Sequence, residues 1–178
     1  MKEVVCPNRV VLVRGVYAGC SLWRPGYYDL AISNREFALI RIADKKKYHS
    51  LERGAIDCDS RMEDLVGVGV LKEKNIIVPH SSLLGLRLYM PPVQPNMNYR
   101  KIGLFLTYSL PGGKHRRLQI TIDRFRDQLE REAAATMPSR LSERILKRNE
   151  FLAESAATFK EILMGILPAE VLKIAEWP

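Results

Sequence analysis

The hydrophobic period of the chain changes at Asp123, and this change limits the possible folds more than any other feature of the sequence. Before it, short runs rich in β-branched residues, such as residues 9–16 and 117–122, predict strands. After it, residues 139–163 contain neither Gly nor Pro and predict one amphipathic helix. We therefore expect an α+β protein, with strands in the first two-thirds and helices in the last third.

Two hairpins are predicted within the β-rich part. Residues 27–33 and 36–42 are strand-like and are joined at Asn34, a residue that tolerates turn geometry. Residues 101–108 and 117–122 form the second pair, because Pro-Gly-Gly between them is a strong turn signal.

Four shorter segments are assigned from local signals. Residues 23–26 (Trp-Arg-Pro-Gly) predict a turn, and residues 75–78 predict a short strand before Pro79. Residues 59–66 are compatible with a short helix capped by Asp59 or Ser60. Residues 82–90 fit either a strand or a helix, although a central glycine weakens the helical alternative.

The tail is predicted to be helical throughout. Residues 123–137 form a first helix that Pro138 ends, residues 139–163 form a longer one, and a short helix covers 169–175. The long helix carries an apolar seam with a seven-residue repeat, which Arg148 and Ser155 interrupt. We expect the seam to pack on the same chain or on a neighbouring subunit rather than to form a coiled coil. The seam consists of Ile145, Leu152, Phe159 and Ile166, with Leu141, Ala156 and Leu163 beside it.

Composition predicts a globular, cytoplasmic protein. The 178 residues can bury a core without disulfides or metals, and no apolar run approaches the roughly 18 residues of a membrane span. The N-terminal apolar runs are short and interrupted by charge, unlike a secretory signal. Cys6, Cys20 and Cys58 have neither disulfide nor zinc spacing, as expected of thiols in a reducing compartment.

Positive charge is concentrated in the middle of the chain. The net charge is +8, and no acidic residue occurs between Glu73 and Asp123. A local positive field attracts nucleic acid, anionic lipid or an acidic protein surface; the alternative is a solvated face that only lacks acids. The candidate anion-binding residues are Lys72, Lys74, Arg87, Arg100, Lys101, Lys114, Arg116 and Arg117.

No catalytic or metal-binding motif is recognisable. His49, His80 and His115 lack neighbouring ligands at metal spacing. Nucleotide-binding and nucleophile-elbow motifs are also missing from the sequence, so we expect no enzyme activity, cofactor or metal. A small metal-dependent hydrolase is the least favoured alternative, and its carboxylates would be Asp57, Asp59, Glu63 and Asp64.

Three segments resemble the pleckstrin-homology-like superfold, especially its bacterial-type and GRAM-like members. Residues 28–40 resemble the strand–Thr/Ser-Asn-x-Arg–strand hairpin of that group, with the arginine one place early. Residues 76–86 resemble its Ile-Pro-x-x-x-Ile strand entry. Residues 102–122 resemble its last two strands, and the resemblance covers about residues 9–137.

The resemblance implies a partly open, seven-stranded antiparallel barrel or sandwich closed by one helix, and it implies binding rather than catalysis. Residues 1–137 would form this domain, with residues 43–74 as an unusual insertion. Residues 138–178 would form a helical tail outside the family pattern, for packing or self-association.

Two binding hypotheses follow. The first is a non-enzymatic binding or assembly module that presents its basic surface to a protein partner or an anionic one, such as a lipid headgroup, with a homo-oligomer formed through the C-terminal helix. The second is a nucleic-acid-binding protein that uses the same charges. Tyr89, Tyr99, Phe105 and Tyr108 lie in the basic stretch, where most of them are expected to pack in the core.

Overall fold

The computed structural model describes residues 10–20, 23–42, 56–59, 75–89, 102–122 and 141–178. These residues form one nine-stranded, mostly antiparallel sheet, a 3₁₀ turn at His80–Ser82 and two helices, α1 and α2. The α+β class is thus confirmed. The strands are β1 Val10–Cys20, β2 Trp23–Ile32, β3 Glu36–Arg41, β4 Ile56–Asp59, β5 Ile76–Pro79, β6 Leu83–Tyr89, β7 Ile102–Ser109, β8 His115–Ile122 and β9 Ala175–Glu176; α1 is Leu141–Ile166 and α2 is Ala169–Lys173.

The sheet is an open surface among the described strands and does not close into a barrel. Its order is β5-β3-β2-β1-β8-β7-β6-β9, and β4 pairs with β1 beside this path. All pairs are antiparallel except β6 and β9. Because β1 pairs with β2, β4 and β8, this one strand connects the two halves of the sheet.

A bulge in β1 divides the strand into two parts that face different neighbours. The register with β2 shifts between Val13 and Val16, and Gly15 in the bulge has φ of 62°, which glycine adopts without steric cost. Residues 10–13 pair with β4, whereas residues 17–20 pair with β8. The extra residue also reverses the alternation, so the β1 side chains of the main core cluster change from odd positions (Val11 and Val13) to even ones (Val16 and Ala18).

One face of the sheet, called the inner face here, packs against α1. Leu152, Phe159 and Leu163 belong to the same buried cluster as the inward side chains of the strands, and Phe159 is only 1% exposed. The sheet and the described part of the tail therefore share one core. The described side chains of the predicted seam, from Leu152 to Ile166, pack on their own chain, and Ser155, which interrupts the repeat, is buried as well. The side chains of Leu141, Ile145 and Arg148 lie outside the described ones.

Local sequence signals placed one turn wrongly. Residues 23–26 belong to β2, where Trp23 pairs with Cys20 and Gly26 pairs with Ala18. The register is irregular between these two pairs, and such a site accommodates proline because no N–H is needed there.

Of the remaining sequence predictions, some are confirmed and others lie outside the described residues. Residues 83–89 form a strand, and the hairpin turn ending at Gly113 is confirmed, with positive φ at Gly112 and Gly113. Strands β4 and β9 were not predicted. Asp59 ends β4, while the rest of the helix predicted over 59–66 and the helix predicted over 123–137 lie outside the described residues.

Candidate binding face of the sheet

The outer face of the sheet, opposite α1, has two unlike halves. On the side of β2, β3 and β5, Val10, Leu12, Ala31 and Ala38 are buried and form a second small apolar cluster. We call these four residues the covered half. We call the opposite part the open half; it consists of Tyr17, Gly19, Arg87, Tyr89, Gly103, Phe105, Thr107, Arg117, Gln119 and Thr121 on β1, β6, β7 and β8.

Strand register arranges the open half in cross-strand rows. The first row runs Tyr17–Thr121–Gly103–Tyr89, with Tyr27 of β2 next to Tyr17. The second row runs Gly19–Gln119–Phe105–Arg87, and the third runs Arg117–Thr107–Gly85. Neighbouring strands are about 4.8 Å apart and neighbouring rows about 6.8 Å apart, so these side chains form one continuous surface.

The ring of Phe105 lies over a glycine. A Cβ atom built on Gly103 would meet Cε2 of Phe105 at 2.9 Å and Cβ of Tyr89 at 3.5 Å. The missing side chain at Gly103 thus makes room for the ring. Phe105 is half-buried, so part of its side chain remains accessible to solvent.

Two arginines lie around Phe105. Arg87 is its direct cross-strand neighbour on β6. Arg117 is its diagonal neighbour on β8, since Phe105 pairs with Gln119 two residues further along that strand. Diagonal neighbours are about 7–8 Å apart between their backbones, within reach of long side chains. Both arginines are exposed, so the ring is bordered by positive charge on two sides.

The neighbouring carboxylate is Glu176 on the edge strand β9. Its Oε2 atom lies 3.8 Å from Nε of Arg87, and both side chains are largely exposed. A surface ion pair of this kind contributes less than about 1 kcal/mol. An incoming anion can therefore replace Glu176 at Arg87 at small cost.

A groove of about 560 Å³ follows this surface. Its lining includes Tyr17, Gly19, Phe105, Arg117 and Gln119. The volume lies within the range of small-ligand sites. Gly19 contributes only backbone, which leaves the surface concave between the aromatic side chains.

The structure separates the candidate basic residues. Arg87 and Arg117 share the open half, whereas Arg116 pairs with the buried Tyr108 and, by strand alternation, lies on the inner face with Leu118. Lys114 lies in the exposed turn after Gly113, and its carbonyl oxygen accepts a hydrogen bond from Leu110 N at 2.7 Å. Lys72, Lys74, Arg100 and Lys101 lie outside the described residues.

The aromatic residues of the basic stretch also divide by strand face. Tyr108 is buried in the core, as expected of most of them, but Tyr89 and Phe105 lie on the open half. Tyr99 lies outside the described residues.

Sequence reasoning missed Tyr17, Gly19 and Tyr27 because they lie far along the chain from the basic stretch. Their positions follow from the pairing of β1 with β8, which local patterns do not reveal.

The carboxylates at the boundary between the halves have structural partners. Oδ2 of Asp57 lies 2.8 Å from Nε of Arg14, in an ion pair beside the bulge of β1. Oδ1 of Asp29 accepts a hydrogen bond from the backbone N–H of Gly15 at 2.9 Å. Of the other proposed hydrolase carboxylates, Glu63 and Asp64 lie outside the described residues, and only the backbone of Asp59 is described.

His80 is buried near the inner-face residue Phe37, with ring centroids 5.2 Å apart. Its Nδ1 atom is 3.2 Å from the carbonyl oxygen of Asn34 and must donate, because a carbonyl only accepts. Its Nε2 atom is buried and has no hydrogen-bond partner among the described residues. Burial therefore lowers the pKa of His80, while the Asn34 bond and the charge of Glu170 act weakly in the opposite direction.

Within the part of the chain that the structure describes, no three His, Cys, Asp or Glu side chains are grouped to hold a metal ion. Neither described helix combines the length and the apolar character needed to cross a bilayer.

Comparison with protein-family models gives no match, and comparison with curated proteins gives none either. The geometry of the sheet face is therefore the basis for assigning a function.

Proposed function

We propose that the chain is a non-enzymatic binding module whose open half binds a polyanionic partner. The observation that carries this proposal is the placement of Arg87 and Arg117 around Phe105 on one exposed face of the sheet. Arg117 and Phe105 line the groove, and Arg87 lies beside it. Cations that line a concave surface raise the local concentration of anions.

The overall charge supports the same proposal. The net charge of the chain is +8, and strands β6, β7 and β8 contain no acidic residue. On the described open half, the neighbouring carboxylate is the weakly held Glu176. A polyanion would therefore meet little repulsion across the groove.

A pleckstrin-homology-like domain is the fold assignment that accompanies this proposal. It is supported by the antiparallel hairpin of β2 and β3, by the final hairpin of β7 and β8, and by the position of β1 between two groups of strands. Domains of that superfold bind diverse partners on a common scaffold, so the assignment leaves the ligand to be identified.

The test uses the complete chain and heparin, a flexible polyanion without nucleobases. Arg87→Gln combined with Arg117→Gln should weaken binding, measured by biolayer interferometry across a salt series, and should reduce its salt dependence, because fewer counterions are released. Competition with vesicles rich in phosphatidylserine should displace heparin from the wild-type protein.

Arg116→Gln is the matched control, because it removes the same charge from the next residue on the opposite face of β8. It should leave heparin binding close to that of the wild type. Equal losses in the control and the double variant, or no heparin binding by the wild type, would contradict the proposal.

A further inference from the structure

The open half carries aromatic rings as well as arginines, and we infer that its ligand is a single-stranded nucleic acid whose bases stack on Phe105 and Tyr17. This inference rests on the proposed function and specifies its substrate class. A nucleotide offers the planar π surface of its base together with a phosphate, and both groups have counterparts on this face.

Phe105 provides the first stacking position. Its ring occupies the space that a side chain at position 103 would fill, since a Cβ atom built on Gly103 would meet Cε2 of Phe105 at 2.9 Å. Arg87 and Arg117 occupy neighbouring strand positions on either side. A base stacked on Phe105 would thus place its flanking phosphates within reach of two guanidinium groups.

Tyr17 provides the second stacking position. It is 36% exposed, and its ring centroid lies 5.5 Å from that of Tyr27 in a tilted pair. Tyr17 lies two strands and one row away from Phe105, a separation of about 12 Å along the sheet. A single strand of several nucleotides would cover both positions.

Polar side chains occupy the space between the two rings. The buried Thr121 and the exposed Gln119 lie there on β8, and Thr107 lies on the other side of Phe105 on β7. Gln119 and Thr107 offer hydrogen-bond donors and acceptors to a ligand. These groups can contact base edges, which only an unpaired strand presents freely. A duplex keeps its bases stacked inside and offers Phe105 only its backbone, so we expect single strands to bind more tightly than duplexes.

The experiment compares three fluorescein-labelled probes by anisotropy with the complete wild-type chain. They are a decamer of deoxythymidine, an abasic decamer with the same phosphates, and a ten-base-pair duplex. The thymidine decamer should bind at least about fivefold more tightly than the abasic one, since stacking on one aromatic side chain contributes about a factor of five to 150.

Phe105→Leu is the decisive variant. Leucine keeps apolar cover over Gly103 but has no aromatic face, so the preference for the thymidine decamer over the abasic decamer should fall toward unity. Abasic binding should stay close to the wild-type value. Arg117→Gln should instead weaken both decamers by similar factors, because it removes a phosphate contact.

The outcomes separate this inference from the proposed function. Equal affinity of the wild type for the thymidine and abasic decamers would overturn base stacking but leave polyanion binding intact. Binding of anionic vesicles without binding of any oligonucleotide would have the same meaning. If neither heparin nor the oligonucleotides bind, both proposals fail. Because the probe comparison uses the wild type, it decides the inference even if Phe105→Leu fails to fold.

Discussion

The covered and open halves belong to the same face of one sheet, yet their side chains differ in type and in exposure to solvent. In the covered half, small or aliphatic side chains such as Ala31, Ala38 and Leu12 are buried. In the open half, positions with the same alternation hold Gln119, Phe105 and other polar or aromatic residues that solvent reaches.

This contrast separates the part of the sheet face that contributes stability from the part that we propose as a binding surface. Burial of apolar side chains stabilises the fold. Exposed aromatic and arginine side chains contribute little free energy until a ligand covers them. The bulge at Gly15 lies where β1 passes from one half to the other. Changes in the covered half should therefore alter stability, and changes in the open half should alter binding.

The largest expected difference in stability is between two variants that each add one lysine, one in the covered half and one in the open half. Ala38→Lys forces an ammonium group into the buried cluster and should lower the free energy of unfolding by more than about 3 kcal/mol, or prevent folding. Thr107→Lys, in the open half, should change it by less than about 1 kcal/mol. Urea unfolding measures both, and equal losses would mean that the two halves are not distinguished by burial.

Substitution of Asp29, at the boundary between the halves, should lower the free energy of unfolding. Asp29→Ala leaves the N–H of Gly15 without its side-chain acceptor and should cost about 1–3 kcal/mol of unfolding free energy. Asp29→Asn keeps an acceptor oxygen and should cost less. Chemical denaturation of both variants tests this order, which would be contradicted if the asparagine variant were the less stable one.

A pH-dependent effect is expected at the end of β5. The pKa of His80 is lowered from its ordinary value of 6.5, chiefly by burial, so the unfolded chain binds a proton more readily than the folded one. The contribution of neutral His80 to stability is complete above pH 6.5 and is lost as the pH falls below it.

Thermal unfolding between pH 7.5 and 5 tests this effect. His80→Gln keeps a donor for the Asn34 carbonyl but does not titrate, so the variant should lose less stability than the wild type on acidification. His115→Gln, at an exposed position of β8, is the matched control and should retain the wild-type loss. Parallel pH profiles for His80→Gln and the wild type would contradict the role of His80.

The smallest expected stability change concerns Glu176. Glu176→Gln removes an exposed ion pair and should alter unfolding free energy by less than about 1 kcal/mol. It also frees Arg87 from a competing carboxylate, so the variant should bind the thymidine decamer severalfold more tightly at low salt. Weaker binding by this variant in the anisotropy titration would place the nucleic acid away from Arg87.

Local sequence patterns predicted a large part of the fold. Alternation and turn residues identified the hairpin of β2 and β3 and that of β7 and β8, because these features act over a few residues. The seam of α1 was also correct at its described positions, as Leu152 and Phe159 are buried.

The errors arose where distant segments meet. Strand β9 is two residues long and exists through its parallel pairing with β6, so it has no local pattern. Trp23-Arg-Pro-Gly has the composition of a turn, but the irregular register with β1 accommodates it in a strand.

The candidate site was only partly accessible to sequence reasoning. The acid-free stretch drew attention to Arg87 and Arg117, which the strand register places on one face, but charge counting gave Arg116 the same importance. Strand alternation sets Arg116 and Arg117 on opposite faces, a distinction that only the boundaries and facing of β8 supply. Tyr17 joins the site through long-range pairing, which no local pattern predicts.

The most direct test of the account is hydroxyl-radical footprinting of the complete chain with and without the thymidine decamer. Oxidation of Tyr17 and Phe105 should decrease as the decamer saturates the protein. Oxidation of Met164, which is 51% exposed on α1, should stay unchanged and serves as an internal reference. Unchanged oxidation of Tyr17 and Phe105 in a saturated complex would show that the ligand binds elsewhere and would contradict the assignment of the open half.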